Sequence, residues 1–227
     1  MKIKSLNVGV PRDVLWKGET VRTGIFKKPV EGPVRVRRLN LDGDRQADLT
    51  VHGGPDKAVY AYPAEHYEYW RRELPEVNFP WGKFGENLTI EGWKDAIPND
   101  QRPAQNELIE DAVHIGDRFQ VGSAVLMVTQ PRLPCYKLAL KFERDDMIKR
   151  FLVSGRSGFY FSVVEPGEVH AGAKVEIIGR DPNQVTVADI QRLYLSKHAD
   201  PELLQRAIGV SALPQSWRDW LQERAAG

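Results

Sequence analysis

The sequence predicts a mainly β protein with helices: a barrel-like β domain followed by a small C-terminal three-helix unit. Two observations predict it. Up to about Arg180, short apolar runs are separated by Gly- and Pro-bearing turns, the pattern of a strand-rich domain. After Asp181-Pro182 the apolar residues take up helical spacing instead. The expected boundaries are 1–180 for the β domain and 181–227 for the helical unit.

In chain order, residues 3–10 alternate loosely and predict a first strand, ended by Pro11. Residues 19–26 and 33–39 predict two more, the second with Val34 and Val36 on one face. Gly24, Pro29, Gly32 and Pro33 punctuate the turns between them, and Asp42-Gly43 suits a turn that needs positive φ. Residues 63–74 predict a helix. Pro63 fits its first turn, Tyr67, Trp70 and Leu74 fall at i, i+3 and i+7, and Pro75 ends it. His66 lies within it and reads as a packed or surface residue. Residues 81–90 lead into a strand, and the polar, proline-bearing residues 95–107 read as a loop.

Residues 113–128 predict a hairpin turning at Gly122-Ser123. Residues 143–152 predict a helix with Met147, Ile148, Phe151 and Leu152 as its apolar stripe and Gly155 as its stop. Strands are expected at 158–164 and 175–178, separated by the turn signal Glu165-Pro166-Gly167-Glu168. Thr186, three residues before Asp189, can cap a helix carrying Ile190, Leu193 and Tyr194. Asp200-Pro201 caps a second, stopped by Gly209, and Ser216 can cap a third carrying Trp217, Trp220 and Leu221. Helices this short are marginal alone, so their stripes must pack against something.

Composition narrows the function. The 227 residues carry a net charge of +1, which gives no global basic field for nucleic acid as the main partner. The single cysteine excludes an internal disulfide framework and fits a reducing compartment. No signal-peptide pattern opens the chain, and no run approaches the roughly 20 apolar residues that span a bilayer. The expectation is a cytoplasmic protein that does not enter membranes. His52, His66, His114, His170 and His198 lack the close pairing of structural zinc ligands.

The one cysteine sits in Thr129-Gln130-Pro131-Arg132-Leu133-Pro134-Cys135-Tyr136-Lys137. A buried strand, 124–128, should lead into it, and the two prolines should stop that strand, since proline offers no N–H to a ladder. Cys135 would then stand on a stiff bend between Arg132 and Lys137. Nearby cations favour the thiolate, the form that acts as nucleophile and metal ligand. A lone cysteine is also often a small buried hydrophobe, and spacing alone leaves both open. Two further stretches attract notice. In His52-Gly53-Gly54-Pro55-Asp56-Lys57, the glycines permit a loop whose N–H groups form an anion nest beside Lys57, or a plain turn. In Phe84-Gly85-Glu86-Asn87-Leu88, Glu86 and Asn87 can point into a pocket or be solvated turn residues.

Taken together, these motifs resemble the MOSC domain, related to the C-terminal domain of molybdenum cofactor sulfurase. The residues that carry the resemblance are 52–59, 84–88, Gly116-Asp117 and 130–137 around Cys135, with the Tyr-, His- and Trp-bearing run 62–70. It covers nearly the whole chain and is closest to bacterial members linked to 6-N-hydroxylaminopurine resistance, which append three helices. The resemblance implies a MOSC-type β-barrel holding the molybdenum cofactor. It implies Cys135 as the molybdenum ligand, as in amidoxime-reducing relatives, or as a persulfide sulfur carrier, as discussed for sulfurase-type members. A carrier of the cofactor without turnover is a third possibility. His52, Gly53, Gly54, Lys57, Glu86, Asn87, Arg132 and Lys137 would bind the molybdopterin. The implied reaction is reduction of an N-hydroxylated base or similar detoxification substrate to its amine and water. No Rossmann fingerprint or Fe–S cysteine spacing is present, so the electrons would come from a separate flavin-type reductase.

Overall fold

The computed structural model describes residues 1–48, 53–93 and 109–226. Its centre is an eight-stranded mixed sheet in the order β12-β8-β9-β10-β6-β7-β1-β4. The strands are β1 (Lys2–Val8), β4 (Lys28–Pro29), β6 (Val59–Pro63), β7 (Leu88–Glu91), β8 (Arg118–Val121), β9 (Ala124–Pro131), β10 (Phe159–Glu165) and β12 (Val175–Gly179). All pairings are antiparallel except β6 with β7. Two small ladders lie outside it: β2 (Arg12–Trp16) with β3 (Glu19–Thr23), and β5 (Val34–Val36) with β11 (Gly167–Val169).

The expected barrel is therefore met only in part. The strand-rich domain is present, but its ladder is not closed. β1 and the approach to β12 meet through one bridge, Lys2 with Lys174, and through backbone bonds such as Ile3 N–H to the Ala173 carbonyl, 2.9 Å. One further expectation changes. β9 runs through Pro131, which pairs with Phe159, so the first proline of the cysteine loop ends the strand from inside it. The expected loop 95–107 and His52 lie outside the described residues.

Six helices are present among the described residues: α1 (Glu65–Glu73), α2 (Tyr136–Phe142), α3 (Met147–Ser154), α4 (Val187–Leu195), α5 (Pro201–Ile208) and α6 (Gln215–Ala226). α1, α2 and α3 enclose an aromatic core in which the Phe84 ring stacks on Tyr62 at 4.4 Å, beside Trp70, Phe142 and Phe151. α4 starts with a full capping box between Thr186 and Asp189, and α5 with Asp200 accepting from Glu202 N–H at 2.9 Å. Val187, Leu193, Leu204, Trp217 and Leu221 of α4–α6 bury into the same core as the sheet residues Leu126, Phe159 and Phe161. The apolar stripes of the last three helices thus find their partner within this chain.

The turn into β10 depends on Gly158, which has φ +59°. A Cβ there would lie 2.4 Å from the Ala61 carbonyl oxygen on β6. Gly158→Ala should therefore cost about 2–4 kcal/mol, from left-handed strain and overpacking together. Urea unfolding would show this as a lower midpoint at unchanged slope.

Candidate functional site

Cys135 is the residue before the first turn of α2, extended at φ −120° and ψ 174°, and it is partly buried. The end of β9 and the proline bend carry it into the wall of a cavity open to solvent. Five basic residues line that cavity: Lys27, Arg45, Lys57, Arg132 and Lys137. Among the described residues no Asp or Glu does. One carboxylate, Asp44, stands behind the wall, fully buried and paired with Lys27.

Each wall is positioned by contacts far apart in sequence. Arg132 donates to the Phe84 carbonyl and lies over the Tyr60 ring at 4.9 Å, so its guanidinium is fixed between α3 and β6. Asn87 accepts from Tyr60 N–H at 3.1 Å and donates to the Asn7 carbonyl at 3.2 Å, joining β6 to β1. Gly24 packs so closely on the 45–46 segment that a Cβ would stand 2.4 Å from the Arg45 carbonyl oxygen. Burial lowers the pKa of Lys57, opposed by Asp56 and Cys135. A group that raises the local negative charge, such as a phosphate, would shift it back upward.

Six of the residues expected from sequence meet at this cavity: Gly53, Lys57, Asn87, Arg132, Lys137 and Cys135. Gly54 caps the short 3₁₀ turn Pro55–Lys57 and is not in the wall. Glu86 is not in the wall either. It is fully buried and accepts bonds from Gly82 N–H (2.8 Å), Phe84 N–H (3.1 Å), the Thr89 hydroxyl (2.8 Å) and the Tyr67 hydroxyl. Its task here is to hold the 82–89 segment. Lys27, Arg45, Tyr60 and Tyr160 line the cavity without any local sequence signal. Their segments come together only through the sheet order.

Behind the wall, Lys141 donates to the Ile25 carbonyl at 2.7 Å and to the Gly82 carbonyl. Burial lowers its pKa to about 7, against the attraction of Glu86 and with help from Arg132, Lys83 and Lys27. In the unfolded chain this amine titrates near 10.5. Between these values the unfolded state binds more protons, so this group makes stability rise with pH from about 7 to about 10.5. The limiting slope is about 1.4 kcal/mol per pH unit. Lys141→Met should flatten the rise, as read by urea midpoints at pH 7 and pH 9.5.

Comparison with known proteins identifies the class. The MOSC domain model matches residues 48–176, and the chain belongs to the MOSC family. A second model, the YiiM-like 3-alpha helix domain, matches residues 185–227. YflK of Bacillus subtilis (strain 168) is 40% identical over 95% of this chain and 90% of its own length. The crystal structure of YiiM from Geobacillus stearothermophilus has a TM-score of 0.77 and 33% identity, covering 99% of this chain and 98% of that one. A protein of Gibberella moniliformis (strain M3125 / FGSC 7600) named as a reductase is 30% identical over 82% of this chain but only 31% of its own length. Family and relatives fit a role connected with the molybdenum cofactor. Among the described residues, no helix is long and apolar enough to cross a membrane.

The donor set can be tested against that cofactor. Among the described residues no three His, Cys, Asp or Glu side chains converge on a metal position. Of the described residues, Cys135 alone offers a soft donor here, so a metal beside it would take its other ligands from its carrier or from outside them. One soft thiol beside a basic wall fits a thiolate-binding metal carried on a phosphate-bearing pterin.

Proposed function

We propose that this protein binds the molybdenum cofactor in the basic cavity and reduces N-hydroxylated compounds there, with Cys135 as the protein's ligand to molybdenum. The observation that carries the reading is one thiol and five basic residues in one wall that, among the described residues, holds no carboxylate. Lys57, Lys137 and Arg45 supply charge-assisted hydrogen bonds to the phosphate. Arg132 is held too tightly by Phe84 and the Tyr60 ring to follow a moving ligand, and serves as a fixed positive wall. Asn87 and Gly53 shape the opening. When bound, the cofactor supplies the two-electron removal of oxygen from nitrogen, while the protein supplies orientation and electrostatics. The electrons come from a separate flavin-type reductase.

The cavity part of the reading has its own test. The double variant Lys57→Ala, Lys137→Ala, purified from cells that make the cofactor, should retain at least about tenfold less pterin phosphate than wild type, since each charged hydrogen bond contributes about 1.5–3 kcal/mol. The deficit should narrow in high salt, which screens the charge contacts that only the wild type keeps. Equal retention in the double variant and wild type would overturn this assignment of the basic wall.

A further inference from the structure

Cys135 borders a second cavity on its other side. Gly53, Lys57, Leu133, Cys135 and Tyr160 line both spaces, so the thiol stands at their junction. The two are chemically unlike. The first is walled by cations. The second is walled by Pro131, Pro134, Pro214, Tyr136 and Trp217, with Asp56 and Lys57 balancing each other in charge. Past Leu133, Ser216 and Trp217 it continues into an aromatic recess with Tyr194 and Trp220. The Trp217 ring stands perpendicular to Trp220 at 5.7 Å and edge-on to Tyr194 at 5.9 Å.

Trp217 is not loosely attached to this wall. Its Nε1–H donates to Gln130 Oε1 at 2.8 Å, and Gln130 Nε2 donates to the Asp56 carbonyl at 3.3 Å. The Thr129 hydroxyl donates to the same carbonyl at 2.6 Å. The first turn of α6 is thereby bonded through one buried amide to the loop that carries Lys57. A helical appendage with only a packing role needs no such tie to the cysteine cavity.

Resting on the reading of the basic cavity as the cofactor site, we infer that the second cavity holds the substrate, and that Trp217 is a specificity-determining residue. The occupant that fits is a flat, uncharged ring compound. Aromatic faces and proline edges bury a planar ring well, and the balanced charge gives no reason to prefer an ion. The substrate's N–O bond breaks, two electrons from the reductase and two protons are taken up, and amine and water leave. The C-terminal helices then belong to the active site as its substrate wall.

Phenylhydroxylamine and methylhydroxylamine carry the same reducible group with and without a ring. Trp217→Ala in the cofactor-loaded full chain should raise KM for the ring compound about three- to tenfold, the range of one lost aromatic contact. The KM for methylhydroxylamine, which has no ring to lose a contact, should rise less, so the preference for the ring compound over methylhydroxylamine should narrow. Ser216→Trp, an exposed position between the cavity and its recess, should block the ring compound more strongly and guards against misfolding of the first variant. Aniline binding to cofactor-free protein, followed by ligand-observed NMR, should weaken in both variants. Wild-type KM and wild-type aniline binding in folded Ser216→Trp would overturn the inference. If no preparation turns over either hydroxylamine, the reductase reading fails and aniline binding decides alone: weaker binding in Ser216→Trp supports the ring site, and unchanged binding removes it.

Discussion

Cys135→Ser should abolish molybdenum-dependent reduction of N-hydroxylated compounds, by at least about three orders of magnitude, the scale of losing a group that acts directly at the reacting centre. The fold should survive. Cys135 is only partly buried, and its side chain makes no cap bond to α2. The substitution exchanges a soft sulfur donor for a hard, weakly acidic hydroxyl, which is a poor partner for a soft-ligand metal. Thermal melts within a few degrees of wild type, alongside lost turnover, would separate this effect from misfolding. Full turnover in a metal-loaded Cys135→Ser preparation would remove the thiol from the role given to it. The sulfur-carrier alternative predicts something different: a sulfur adduct on Cys135 in freshly purified protein, visible by mass spectrometry.

The second large effect is on stability. Glu86→Ala should destabilise the protein by about 3–5 kcal/mol, since each buried donor left without its acceptor costs about 1–3 kcal/mol. The substitution strands two backbone N–H groups, at Gly82 and Phe84, and the Tyr67 and Thr89 hydroxyls. Tyr67 itself stays a phenol, since burial, the largest cause of its raised pKa, remains in the variant, so it is still a donor. The damage should reach the cavity. The carbonyls of Phe84 and Gly82 hold Arg132 and Lys141 in place. Lower cofactor retention should therefore accompany a lower urea midpoint. A variant with wild-type stability would show that the 82–89 segment is held by its aromatic packing instead.

The legible parts of this molecule were those marked by unusual residues. The two prolines, the lone cysteine and the flanking cations of 129–137 made a distinctive loop, and Arg132, Cys135 and Lys137 do share one cavity. Thr186 and Asp189 identified the start of α4 because a capping box is a local interaction. What was missed depends on long-range contact or on burial without a pattern. α2 is buried over nearly its whole length from Lys137 to Phe142, so no amphipathic stripe announces it. β6 is buried at all five residues and likewise lacks alternation. β2 is the opposite case, mostly polar and exposed, although its partner β3 falls within the expected strand 19–26. Lys27 and Arg45 look like ordinary surface cations until the sheet order and the close approach at Gly24 bring them to the cavity. Glu86 was legible as a polar residue of consequence, but sequence cannot say which way a buried carboxylate faces.

The central claim is that Cys135 holds molybdenum on a cofactor seated in the basic cavity. Metal and pterin analysis tests it most directly, on protein made in cells competent for cofactor synthesis, with Cys135→Ala purified in parallel. The account predicts near-stoichiometric molybdenum and pterin in the wild type, and loss of molybdenum in the variant. Equal, negligible molybdenum in both would contradict it.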